Sequence, residues 1–138
     1  MACELVWEPE GVLSKFSGRI SGTEFLDTVA RIQSDARYDD ARYVIHDLSA
    51  VATDEISDAV LTELSILHFG ACASCPNCRV VFVTTDAALS ERVERILMAP
   101  KMKSYDVEIR PTVVEARDWL DTQPQLLRLS DVMGFWSR

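Results

Sequence analysis

An α/β fold on a mixed, mostly parallel sheet is what this sequence predicts, and three features carry the prediction. Short apolar segments at residues 3–7 and 12–16 flank Pro9, Glu10 and Gly11, which is hairpin chemistry. After them, strand-like runs alternate with segments of helical period. That alternation calls for parallel strands joined by right-handed crossovers. The run RVVFVT at residues 79–84 is apolar almost without interruption. Such a run suits a strand covered on both faces in the middle of a sheet.

The elements follow in order. Residues 18–22, bounded by Gly18 and Gly22, form a break after the hairpin. Ser21 and Glu24 have capping-box spacing, and Phe25, Val29 and Ile32 continue at helical period. Residues 42–46 give the next strand, which ends at Asp47 in polar residues. Thr53 or Asp54 then caps a helix whose apolar stripe is Ile56, Val60, Leu64 and Leu67. Asp54, Glu55 and Asp58 make its first turn acidic. Residues 79–84 form the central strand, and Asp86 opens a third helix through Leu89, Val93, Ile96 and Leu97, stopped near Pro100. Residues 106–110 alternate polar and apolar, as an edge strand does. Pro111, Thr112 and Glu115 begin a fourth helix that Pro124 ends. Leu126, Leu129, Met133 and Trp136 suggest a short amphipathic helix in the tail. The order is β-β-α-β-α-β-α-β-α, with a domain at residues 1–122 and a tail at 123–138.

A chain of 138 residues fits one such domain and buries a core without disulfides or metals. Its net charge of −8 disfavours nucleic acid and anionic membranes, which recruit clustered Lys and Arg. No apolar run reaches membrane-spanning length, and the first residues lack the pattern of a secretory signal. Four cysteines without such a signal point to a cytoplasmic protein with reduced thiols.

In α/β sheets, sites form where parallel strands end at their carboxyl edge. The stretch YVIHDLSAVATDEIS at residues 43–57 is the first place to look. Together with the opening GVLSKFSGRISGTEF and the closing helix VVEARDWL, it resembles the STAS fold of anti-sigma-factor antagonists, and within it the SpoIIAA-like group. The likeness covers residues 12–120. In the phosphorylatable antagonists, D-L-S-x-V is followed by x-x-x-D-S-S-G, whose second serine takes the phosphate. Counting without gaps from Asp47 places Glu55, Ile56, Ser57 and Asp58 on that box. Ser57 keeps the residue type, and an acidic residue replaces the glycine. The resemblance implies a regulatory, protein-binding domain. The group is also similar in topology to CRAL-TRIO lipid-transfer domains, which implies a rival role as carrier of a small apolar ligand.

Asp47, Ser49, Thr53, Asp54, Ser57 and Asp58 are therefore the candidate binding or regulatory surface. A phosphate on Ser57, in the first helical turn, would meet free amides and the positive end of the helix dipole. Ser49 and Thr53 equally suit turn and cap duty. A second constellation is CASCPNC, with Cys72, Cys75 and Cys78 four to ten residues after His68. Zinc ligation, a redox dithiol and inert packing all fit that spacing, and inert packing is the leading reading. His68 suits a helix C-terminus as a cation, and His46 suits a satisfied core position. No nucleophile, nucleotide or cofactor motif is present, so no catalytic residues and no cofactor are expected. Phe69, Met98, Met102 and Trp119 suit either the lining of an adaptable pocket or plain core, and at helical spacing core is the leading reading. Phe135 and Trp136 suggest that the tail docks on its own domain or mediates a homodimer.

Overall fold

Pro9 and Glu10 turn the chain between β1 (Ala2–Glu8) and β2 (Gly11–Ile20), which pair antiparallel from Ala2↔Ser17 to Glu8↔Gly11. The computed structural model describes residues 2–99 and 105–124. In it β3 (Tyr43–Asp54), β4 (Arg79–Val83) and β5 (Asp106–Arg110) join β2 in parallel, giving the strand order β1-β2-β3-β4-β5. The mixed sheet behind an opening hairpin agrees with the sequence prediction. Its middle strand is β3. β4, expected at the centre, is paired on both sides but lies next to the edge strand β5.

Helices α1 (Gly22–Ser34), α2 (Asp58–Ser74), α3 (Ala87–Val93) and α4 (Val113–Thr122) cover the sheet. Ser21 and Glu24 form the reciprocal capping box that starts α1. Asp86 caps α3 through Ala88 N and Leu89 N, and Thr112 caps α4 through Glu115 N. A π-helical turn, Glu94–Met98, continues α3, and a 3-10 turn, Ala36–Asp40, follows α1.

Side chains alternate across the sheet and so build two cores. Val12, Phe16, Val44, Leu48, Val80 and Phe82 share one core with Phe25 and Ile32 of α1, Leu61 and Leu64 of α2, and Leu89 and Val93 of α3. Leu13, Ile45, Val81 and Val83 point the other way and pack with Ala116 of α4. Trp119 packs against this smaller core, as the core reading expects.

Three local expectations are corrected. Gly18 does not break the chain: it lies inside β2 at φ +73, beside a register shift between Gly18 and Arg19. Glycine adopts that angle without steric cost. Nor does the second strand end at Asp47. β2 continues past Gly18 and offers backbone partners that hold β3 extended through Asp54. Finally, the buried stripe of α2 is Leu61, Leu64 and His68; Ile56 is fully buried but precedes the helix, while Val60 and Leu67 are half-buried. Pro100, Met102 and the tail from residue 125, with its docking or dimer role, lie outside the described residues.

Candidate functional site

The carboxyl half of β3 is shaped by extra residues. Lys15↔Asp47 is followed by Ser17↔Ala50, and Gly18↔Val51 by Arg19↔Thr53, so β3 twice spends one more residue than β2. Such bulges re-aim side chains and sharpen the local twist. At the first, Asp47 Oδ1 accepts from Ser49 N at 3.0 Å and from Ser49 Oγ at 2.6 Å. Both residues are thereby locked locally. Thr53 stays exposed on the strand.

Asp54 is the last residue of β3, not a helix cap. Its Oδ1 accepts from Ile56 N at 2.9 Å and lies 3.5 Å from Arg92 Nη2. Arg92 also donates from Nε to Ile56 O at 3.0 Å. Ile56 is fully buried, so this clamp anchors the turn into α2 from both polar and apolar sides. The backbone adds Glu55 N to Ile20 O at 3.0 Å. Gly22 permits the close approach of α1, because a Cβ there would collide with Val60 and meet Glu55 O at 3.1 Å.

Ser57, expected within the first helical turn, is instead the N-cap of α2, and its Oγ accepts from Val60 N at 3.3 Å. Thr53 and Asp54 cannot cap because β3 still holds them. Asp58 is the first helical residue and faces Arg95 Nη2 at 3.0 Å, while Arg95 Nε meets Glu91 at 2.9 Å. Asp54 and Asp58 thus do not share a helical turn, and each answers a different arginine of the segment after Asp86. Arg92 and Arg95 were not legible as site residues. Only the tertiary fold brings them to α2; their one sequence signal is a shared helical face.

Two clefts meet at Asp54 and Arg92. One of about 340 Å³ is floored by Leu48 and Val51 and rimmed by Thr53, Thr84 and Asp86. The other, of about 290 Å³, runs over Glu55, Ser57 and Asp58. The six sequence-predicted residues therefore lie along one edge of the sheet.

The remaining candidates are buried or dispersed. His68 is 2% exposed inside α2, its ring edge-on to Tyr105 at 5.4 Å. Burial lowers its pKa to about 4, so it is neutral and not a C-terminal cation. His46 accepts or donates at Nδ1 to Ser14 Oγ at 2.8 Å, and Phe16, Phe25 and Phe82 surround it. Burial, then the neighbouring His68, lowers its pKa to about 3. Ser14 is itself fully buried, so this serine–histidine pair offers no access to substrate.

Cys75 Sγ donates to Tyr38 O at 3.1 Å, and burial raises the pKa of both Cys75 and Cys78. The thiolate is the reactive and metal-binding form, so both are held in their unreactive state. Among the described residues no group of three or more His, Cys, Asp or Glu is placed to hold a metal, and His68, Cys72, Cys75 and Cys78 do not converge into one. Between the sheet, α1 and α2, a cavity of about 10 Å³ touches His46, His68 and Tyr38. That is room for about one water and none for an apolar ligand. Phe69 and Met98 are exposed, neither core nor pocket lining. No described helix is long and apolar enough to cross a membrane.

The sheet order, the opening hairpin and the helix layers give the chain a STAS-like α/β fold. The solved structure of the anti-sigma factor antagonist SpoIIAA in its unphosphorylated form is similar to it, with a TM-score of 0.59 and 12% sequence identity over 88% of this chain and 100% of that one. A scan of protein-family models and a search of curated protein sequences find no match.

Proposed function

We propose that this domain is a non-catalytic regulatory module that binds a protein partner through the edge running from Asp47 to Asp58. The observation that carries the reading is the Asp54–Arg92–Ile56 clamp, which presents Thr53, Ser57 and Asp58 in fixed positions beside two polar clefts. Its similarity to a structure described as an anti-sigma factor antagonist supports a protein partner. Ser57 is the point of control. Its hydroxyl is exposed and already faces the amides at the start of α2. A phosphate there gains from those amides and from the helix dipole. It also competes with Asp58 for Arg95, so modification would rearrange the charges a partner reads.

The test is capture of a partner by the tagged protein from its source cells, with quantitation against surface variants. Thr53→Arg and Asp58→Lys should each abolish recovery of the partner while circular dichroism and thermal stability stay near wild type. Val114→Arg, at an exposed position on α4, should recover it unchanged. Recovery that survives Thr53→Arg and Asp58→Lys but not Val114→Arg would move the functional surface to α4 and reject this one.

A further inference from the structure

The outward face of α2 is apolar where a surface helix is ordinarily charged. From Leu64 to Ser74 the helix contains no Asp, Glu, Lys or Arg, and its only carboxylate after Asp58 is Glu63. The inward face is taken up by the core through Leu61, Leu64 and His68. Outward, α2 shows Ile66 at 62% exposure and Phe69 at 50%, with Gly70 and Ala73 exposed beside them. Residues three and four apart are neighbours on a helix, so these four make one strip. A helix that is apolar all round is ordinarily covered on both sides.

Gly70 is a second sign. Glycine weakens a helix interior. Crowding does not require it here, because a Cβ at this position would meet nothing within 4 Å. The missing side chain leaves the helix surface low next to Phe69, where a large apolar group can approach the backbone.

The chain supplies such groups close by. Pro124 O accepts from Arg79 Nη1 at 2.9 Å, so residues 125–138 leave from the amino edge of the parallel strands, beside the start of β4. α2 ends towards that same edge. Its C-cap, Cys75, precedes Arg79 by four residues and lies at most about 14 Å from it. Phe69 is about 9 Å further along the helix. With the arginine side chain included the path is at most about 30 Å, and residues 125–138 span up to about 50 Å. Half of these residues are apolar, Leu126, Leu129, Met133 and Trp136 among them. Charge favours this segment over a second copy. It holds Arg128 and Arg138 against Asp131, opposite in sign to Glu63, whereas two whole chains of net charge −8 repel. The tether also holds the segment at an effective concentration of about a millimolar.

We infer that residues 125–138 fold back around the amino edge of the sheet and dock on the outer strip of α2, with Met133 and Trp136 against Ile66, Phe69 and the low surface at Gly70. The docking covers the carboxyl half of α2 and does not depend on the partner surface proposed at the other end of that helix.

The experiment is nuclear magnetic resonance on the full chain, at a concentration where sedimentation shows a monomer, together with limited tryptic digestion. Overhauser contacts should join the Trp136 indole to the side chains of Ile66 and Phe69, and a mixture of labelled and unlabelled chains should show none between chains. Cleavage after Arg128 should be at least about tenfold faster in Phe69→Glu and in Trp136→Ala than in wild type, as loss of one buried aromatic allows. Gly70→Gln favours the helix, yet it should also speed cleavage because it fills the approach to the backbone. Val114→Arg, on α4, should leave cleavage unchanged. The Overhauser contacts need no variant, so they decide even if Phe69→Glu fails to fold. Absence of contacts to α2, contacts between chains, contacts to α4 in their place, or equal cleavage in wild type and a folded Phe69→Glu would each overturn the docking.

Discussion

Acid should unfold this domain through its two core histidines before its carboxylates take part. His46 and His68 sit in the core between the sheet and α1 and α2, at 1% and 2% exposure. Their folded pKa values, about 3 and about 4, lie below the ordinary value of 6.5. In the unfolded chain both take up a proton near pH 6.5; in the folded chain neither does until far lower. Stability is therefore complete above pH 6.5 and falls as pH drops toward the folded values. Two groups bind in the unfolded state alone, so the slope is about 2.7 kcal/mol per pH unit, twice the 1.36 of a single proton. Over the two units from pH 6.5 to 4.5 the loss is about 5 kcal/mol, comparable with the whole stability of many domains. Glu8, whose pKa Arg117 holds low, adds its own loss only below about pH 4.5, so the window isolates the histidines. Urea unfolding at several pH values between 7.5 and 4.5 measures the slope. His68→Phe should halve it, because the ring keeps its place against Tyr105 and the unpartnered Nδ1 disappears. A wild-type slope of one proton or less, or a slope unchanged by His68→Phe, would refute the reasoning.

Other expectations are narrower. Val81 is fully buried in the smaller core, so Val81→Asp should cost about 4 kcal/mol or more and unfold the domain; near-native thermal stability would reject the placement of β4. Asp54→Ala should cost about 1–2 kcal/mol, since it leaves Ile56 N without its acceptor and takes the carboxylate from Arg92 Nη2, whereas Asp58→Ala should cost below about 0.5 kcal/mol, the value of an exposed pair. Denaturant melts of the two variants decide, and equal costs would dissolve the clamp at Ile56. A thiol reagent should label Cys3 and Cys72 in the native protein, while Cys75 and Cys78 react only at the rate of unfolding; fast native labelling of Cys75 or Cys78 would restore a sensor role.

Most elements were legible because local chemistry and tertiary structure agree. The Ser21–Glu24 box, the Asp86 and Thr112 caps and the apolar run of β4 each act within a few residues. The junction after Asp47 was misread because its structure is imposed from a distance. Thr53 and Asp54 look like turn and cap residues, yet the far half of β2 holds them in a strand, and the cap passes to Ser57. Arg92, Arg95 and Arg79 carried no local signal. Their meaning comes from distant neighbours: Asp54 is 38 residues from Arg92, Asp58 is 37 from Arg95 and Pro124 is 45 from Arg79. His68 shows the same limit: the sequence reading put it at a helix C-terminus as a cation, but it is buried within α2 with its ring against Tyr105.

The strand order itself bears on how the chain is assembled. Every strand lies beside its predecessor in sequence, so the sheet never has to be opened to admit a late arrival. Each crossover helix and its strand can add to a finished edge as the polypeptide leaves the ribosome, and loop-closure entropy is met in short instalments. β2 and β3 make the longest ladder and are complete by Asp54, well before the chain supplies Arg92. The edge bearing Thr53 and Ser57 is thus laid down early and clamped late. A nascent chain arrested between β4 and α3 would display that edge without its arginine lock, which makes α3 the last step in maturing the surface.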